Sequence, residues 1–289
     1  MTAQTDSTAT SRLQRDVMRF TRRFRTATIG IIFVLLVITG AIFAPIVTPY
    51  NPTMPRIPER FERPSLRHML GTDDLGRDIA ARVLYGARTT LTAGFASVLL
   101  AVLLGGAVGI LAGYLGGWVD NLLMRAMDII LSFPAILLSI LIVASLGPGM
   151  VNLILAIAFS LVPSFARMVR SVVLGIVTQE HITAAQALGA GGAHIIRLHL
   201  IPNTLPVLLV QATATMAVAI STGAALNYLG LGVEPPMPDW GLMVSEGQKH
   251  VFSAAYIPLI PGVFITLTVL SVNFVGDALR DFLDPVLKR

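Results

Sequence analysis

Six apolar stretches dominate this 289-residue chain. Each is about as long as the roughly 20 residues a helix needs to cross a hydrocarbon layer ~30 Å thick. They run over 28–48, 91–113, 121–145, 151–173, 205–226 and 257–276. A backbone surrounded by hydrocarbon must satisfy its own N–H and C=O groups, so runs of this length fold as helices. The expected fold is therefore an all-α integral membrane protein with six transmembrane helices. Composition agrees: 54% of residues are hydrophobic, 13% are charged, and the mean hydropathy is +0.76. The first run has no clean small-x-small cleavage site and more spans follow it, so it reads as a retained helix rather than a leader.

Charge sets the expected orientation. Arg12, Arg15, Arg19, Arg22, Arg23 and Arg25 outnumber Asp6 and Asp16 just before the first span, which places a basic tail, 1–27, in the cytoplasm. Six crossings return the tail at 277–289, with Arg280, Lys288 and Arg289, to the same side. The loop at 49–90 then lies outside, although it holds Arg56, Arg60, Arg63, Arg67, Arg77, Arg82 and Arg88; Glu59, Glu62, Asp73, Asp74 and Asp78 are interleaved and can pair with them locally. The remainder, 91–276, is a five-helix core containing a cytoplasmic loop at 177–203.

Several kinds of chemistry are excluded or disfavoured. The chain has no cysteine, hence no disulfide, thiolate metal site or cysteine nucleophile. A phosphate-cradling loop ending in Gly-Lys-Ser/Thr is missing; the only lysines, Lys249 and Lys288, do not follow a glycine. The chain is expected to hydrolyse no ATP, to hold no metal and to carry no catalytic residue. His68, His181, His194, His199 and His250 fall in loops or interfacial segments and no Gly-x-Ser-x-Gly elbow occurs, which sets an intramembrane hydrolase well behind a transport role. The net charge of +5 lies mostly in a tail, in loops and near span ends, as membrane-flanking charge does, and implies no nucleic-acid partner.

One segment stands apart. "HITAAQALGAGGAHIIRLHLIPN", 181–203, lies between two spans yet is rich in small residues and broken by glycines. Residues 182–189 read as a short helix, 189–192 as a break, and the helix then resumes until Pro202 is expected to stop it. The result is a helix–turn–helix outside the bilayer. It is either an interfacial helix that anchors a loop or a knob shaped to meet a partner.

The motifs resemble a known family. "TAAQALG" followed by "HLIPN" is similar to the EAA loop of binding-protein-dependent ABC importer permeases, with Thr183 where the family's glutamate is usual. "LGTDDLGRDIAARVLYGAR" at 70–88, "NYLGLGVEPPMPDWGLMV" at 227–244 and "GDALRDFLDP" at 276–285 resemble the C-type permease subunit of its dipeptide/oligopeptide/nickel branch. The likeness spans the chain after residue 28. It implies a type I importer permease fold and a cytoplasmic coupling helix, in which Thr183, Ala184, Ala185, Leu188, Gly189, His199 and Pro202 meet an ATPase. It further implies a heterodimer with a second, homologous permease, two ATPase subunits that bind ATP and Mg, and an extracytoplasmic substrate-binding protein. The resemblance also implies peptide cargo, in a branch that carries dipeptides, longer peptides, glutathione and nickel chelates, and a bacterial or archaeal inner membrane.

Other residues admit two readings each. Gln211, Thr215 and Thr222 fall within about 40° of one another on the fifth span; they either line a pathway or bond within their own bundle. Asp120, Arg125 and Asp128 open the third span, with Arg125 and Asp128 spaced to pair. Pro134 is expected to kink that span. Asp73, Arg77 and Asp78 read as a turn held by ion pairs at the external rim. Trp240 is either an interfacial anchor or part of an outer closure. The rival function is a channel or secondary transporter driven by an ion gradient. Against it, the fifth and sixth spans lack charge and the fourth has only Arg167 and Arg170.

Overall fold

The computed structural model describes residues 24–283. The basic residues of 1–23 and the last six residues, on which part of the orientation argument rests, lie outside them. Among the described residues the chain is helical with no strand beyond a single bridge between Thr72 and Asp78.

The long helices are α1 (Arg25–Ile42), α3 (Ile79–Leu115), α6 (Met150–Val177), α9 (Ile201–Tyr228) and α11 (Tyr256–Leu283). Shorter ones are α2 (Ala44–Val47), α4 (Gly117–Leu131), α5 (Ala135–Leu146), α7 (Glu180–Ala187), α8 (Gly192–Ile195) and α10 (Trp240–Gly247). Five helices are long and apolar enough to cross a membrane, and six crossings result if α4 and α5 together make one. Those two meet at 89° across Ser132, Phe133 and Pro134, so the span expected at 121–145 is two segments. Pro134 is the cause: its ring keeps Phe133 out of the helical region and supplies no N–H to continue the ladder.

Three boundaries move. Helix α3 starts at Ile79, twelve residues inside the stretch expected to be loop at 49–90, because Asp78 Oδ1 caps it by accepting the Ala81 N–H at 2.7 Å. Residues 25–27 and 277–283, read as tail, are helical in α1 and α11. Pro202 does not end a helix. A π turn over Ile196–Leu200, in which the Ile201 N–H reaches the Ile196 carbonyl, widens the backbone just ahead of the proline. The chain then runs continuously from Gly192 through Tyr228. The widened turn accommodates the proline ring and its missing N–H where the regular ladder is already interrupted.

Helices α3 and α6 form the centre of the bundle. Gly105, Gly109 and Gly113 recur every fourth residue on α3, and a Cβ on each would lie 2.6, 2.5 and 2.8 Å from atoms of Phe165, Ala166 and Val173. Without side chains on that stripe the two backbones approach closely, which is how helices associate where lipid removes the usual hydrophobic drive. At one end of the bundle α11 begins with Tyr256, whose hydroxyl donates to the Glu62 and Thr72 carbonyls. Gly192 abuts the Tyr114 ring at the other end. Arg88 donates to the carbonyls of Ala41 and Ile42, and Gly276 lies against Thr213. The start of α1 and the end of α11 therefore share the half of the bundle that carries residues 180–200.

Candidate functional site

The segment at 180–200 is anchored by three apolar side chains and otherwise exposed. Ile182, Ile195 and Leu200 are fully buried in a cluster with Val173 and Ile176 of α6, against which Tyr114 of α3 also packs. Around α7 the other face is open: Thr183, Ala184 and Gln186 are exposed and Leu188 is 89% exposed. The turn is built by glycine. Gly189 has φ +87°, its N–H reaches the Gln186 carbonyl at 2.9 Å, and the Ala190 N–H reaches Ala185 at 3.0 Å. This paired cap satisfies the last carbonyls of α7 and fixes the direction in which the chain leaves it. A Cβ on Gly189 would meet nothing within 4 Å, so the turn points into free space. His199 stacks 5.5 Å from His181 and 6.4 Å from His194, and Asn203 Nδ2 donates to the His199 carbonyl at 2.6 Å. Pro202 is exposed just beyond. The structure thus brings Thr183, Ala184, Ala185, Leu188, Gly189, His199 and Pro202 to one projecting end. The arrangement holds no nucleophile–base pair. It is a rigid surface suited to contact.

The opposite end is closed by charge. Asp73 Oδ1 accepts the N–H groups of Leu75 and Arg77, both at 2.9 Å, while Oδ2 accepts Arg77 Nε at 2.7 Å and Arg82 Nη1 at 2.6 Å. Arg77 Nη2 also donates to Glu246 of α10 at 3.0 Å. Asp73, Arg77 and Arg82 are buried, and this partnering offsets the cost of holding their charges away from water. Asp78 offers its second oxygen to His68 Nδ1 at 2.8 Å. The expected ion-paired turn is present, and it reaches 169 residues along the chain to α10.

Trp240 is no interfacial anchor. It is fully buried, donates from Nε1 to the Val83 carbonyl at 2.9 Å and lies 5.8 Å from the Phe264 ring. Its neighbour Asp239, absent from the sequence-derived candidates, caps α10 by accepting the Gly241 and Leu242 N–H groups and takes a 2.6 Å hydrogen bond from Thr90. Burial pushes the Asp239 carboxyl up to about 6 despite these bonds. The signal that could have found it is an acidic residue immediately before a short apolar helix.

The polar stripe on α9 is partly buried. Thr215 is buried in the bundle and sits 3.5 Å from Gln211, while Gln211 and Thr222 are only partly exposed. Asp128 does not pair with Arg125. It takes Arg167 Nη2 at 2.5 Å, and Asp120 takes Arg170 through both oxygens at 2.5 Å, so both bridges join α4 to α6.

Comparison with known proteins adds the following. Residues 105–289 match the family described as "Binding-protein-dependent transport system inner membrane component", and residues 12–64 match "N-terminal TM domain of oligopeptide transport permease C". A dipeptide transport system permease protein of Alkalihalophilus pseudofirmus is 44% identical over 95% of this chain and 90% of its own. A di/tripeptide transport system permease protein of Pseudomonas aeruginosa is 40% identical over 90% and 88%, and a glutathione transport system permease protein of Pectobacterium atrosepticum is 41% identical over 93% and 90%. Among solved structures, an inward-facing methionine ABC transporter, MetNI, superposes with a TM-score of 0.55 at 24% identity, covering 69% of this chain and 95% of that one. At that identity the likeness bears on the fold alone. None of these matches supports an ion-driven transporter.

Proposed function

The chain belongs to the binding-protein-dependent transport system inner membrane components, and on that premise we propose that it forms half of a short-peptide pathway driven through residues 180–200. It is a multi-pass permease subunit of a bacterial inner-membrane ABC importer family and is not itself catalytic. Peptide cargo is supported by the relatives, whose names specify dipeptides, di- and tripeptides, and glutathione, itself a tripeptide. The partners in this reading are a second, related permease, two ATPase subunits that hold ATP and Mg, and an extracytoplasmic binding protein that delivers the cargo. The lack of a Gly-Lys-Ser/Thr loop supports ATP hydrolysis elsewhere.

The single observation that carries the coupling role is the capped, exposed α7 riding on buried Ile182, Ile195 and Leu200. A push on the small-residue face is passed to α6 and α3 through packed side chains, because a close-packed core moves as a body rather than deforming. Thr183 removes one charge from the face and leaves its shape. The cytoplasmic assignment of 1–27, 177–203 and 277–289, and the external assignment of 49–78, is supported by the basic residues before α1 and by the shared half of the bundle occupied by α1's start, α11's end and α7.

The test is affinity purification of the tagged chain in mild detergent with the subunits that accompany it, beside a Gly189→Arg variant. Wild type is expected to bring a second permease and nucleotide-hydrolysing subunits. Gly189→Arg is expected to insert normally and lose the ATPases, together with uptake. Retention of ATPases and uptake by the variant would refute the role of this segment.

A further inference from the structure

An open hollow of about 600 Å³ lies between α4 and α6, and five charged side chains border it: Asp120, Arg125, Asp128, Arg167 and Arg170. In a chain only 13% charged this is a dense grouping, and it lies well inside the crossing segments. At 1.5 Å per residue, Asp128 stands about 16 Å along α4 from its start, and Arg167 stands about 15 Å before the end of α6. The Arg167–Asp128 pair is 52% and 57% exposed on its two sides. Half-exposed charge on helices that cross or border the bilayer is costly against lipid, so a hollow lined this way suits water or another subunit.

The pairs differ in strength. Asp120 holds Arg170 through two parallel bonds, a geometry that fixes both side chains. Asp128 gives Oδ1 alone to Arg167, and its other carboxylate oxygen has no hydrogen-bond partner among the described residues. Arg125 is exposed, and no carboxylate of the described residues lies within 4 Å of it. One cation is therefore unpartnered and one anion is half used, on the same helix one turn apart. A molecule carrying a free carboxylate and a free ammonium satisfies both.

We infer that this hollow is a waypoint for zwitterionic cargo, with Arg125 taking the cargo's carboxylate and Asp128 its ammonium. The inference rests on the reading that the chain forms half of a peptide pathway. A guanidinium grips a carboxylate in the plane with two donors, and an exposed site lets go again, as a pathway must. The strong Asp120–Arg170 bridge holds α4 against α6 beneath the site, and the weaker Arg167–Asp128 pair yields as the cargo enters.

The experiment uses the assembled transporter in proteoliposomes with its binding protein, measuring labelled dipeptide uptake and ATP hydrolysis in the same vesicles. Arg125→Gln, which leaves no carboxylate unpaired, is expected to lower uptake per ATP about tenfold, the loss of one charge-assisted contact. Hydrolysis stimulated by the loaded binding protein stays within about twofold of wild type, and Arg125→Lys recovers part of the uptake. Unchanged uptake per ATP in Arg125→Gln overturns the inference. So does separation of the subunits on size-exclusion chromatography, which would make Arg125 a contact between permeases. A wild-type complex that hydrolyses ATP but takes up no dipeptide sinks the peptide reading and the inference together, whereas normal wild-type uptake with an unaffected variant sinks the inference alone.

Discussion

Gly76 and Gly189 share a left-handed backbone, with φ +74° and +87°, yet they serve opposite ends of the molecule in opposite ways. A Cβ on Gly76 would lie 1.9 Å from the Arg56 carbonyl oxygen, whereas one on Gly189 would meet nothing within 4 Å. The clasp formed by Asp73, Arg77, Arg82 and Glu246 is built inward, with the first three buried, Glu246 half-buried, and its loop closed upon itself. The knob at 180–200 is built outward, with three buried isoleucine and leucine anchors and a face of small residues open to a partner. One end is finished by its own chain. The other leaves its small-residue face exposed.

The largest test of that contrast is Gly76→Ala. Backbone strain and overpacking against Arg56 together cost roughly 4 kcal/mol or more. The thermal unfolding midpoint in detergent is expected to fall steeply, with poor recovery of folded protein. A midpoint within a degree of wild type would show that the clasp is not closed as described.

Asp239 offers the next test. Its carboxyl is raised from 3.8 to about 6 in the folded protein, so the folded state binds the proton more tightly than the unfolded one. That stability is fully present below the unfolded value and is lost as pH rises through the folded one, amounting to about 3 kcal/mol between pH 3.5 and 6.5. Asp239→Asn keeps the acceptor for the Gly241 and Leu242 N–H groups and is expected to flatten this slope. An equally steep slope in the variant would assign the pH dependence elsewhere.

The smallest effect separates strain from docking. Gly189→Ala places a methyl in open space on a left-handed backbone, at about 1 kcal/mol. Uptake is expected to stay within about twofold of wild type, while Gly189→Arg abolishes it with a similar unfolding midpoint. Equal losses of uptake in the two variants would mean that the turn's backbone, rather than its free face, is what the partner needs.

Much of the knob was legible in the chain because its signals are local. The glycine break, the run of small residues and the flanking spans all lie within 23 consecutive residues, 181–203. The error there was equally local in form: Pro202 reads as a stop, and only the π turn ahead of it shows how the helix continues. For the α9 stripe, helical angle says which residues share a face and nothing about what that face meets. Trp240 was left open between the membrane interface and an outer closure, because an aromatic residue beside a span suits either, and its contacts with Val83 and Phe264 place it away from lipid.

The sequence by itself determined the class of protein, the number of apolar runs, the break at Pro134 and the family, since run length, proline chemistry and motif order are written in neighbouring residues. Only the tertiary structure decided which charges meet. Arg167 finds Asp128 across 39 residues and Arg170 finds Asp120 across 50, in preference to the Arg125–Asp128 pairing that spacing favoured. The physical reason is that an ion pair depends on which helices lie side by side. Here that was settled by Gly105, Gly109 and Gly113 letting α3 and α6 close together, with α4 folded back along them.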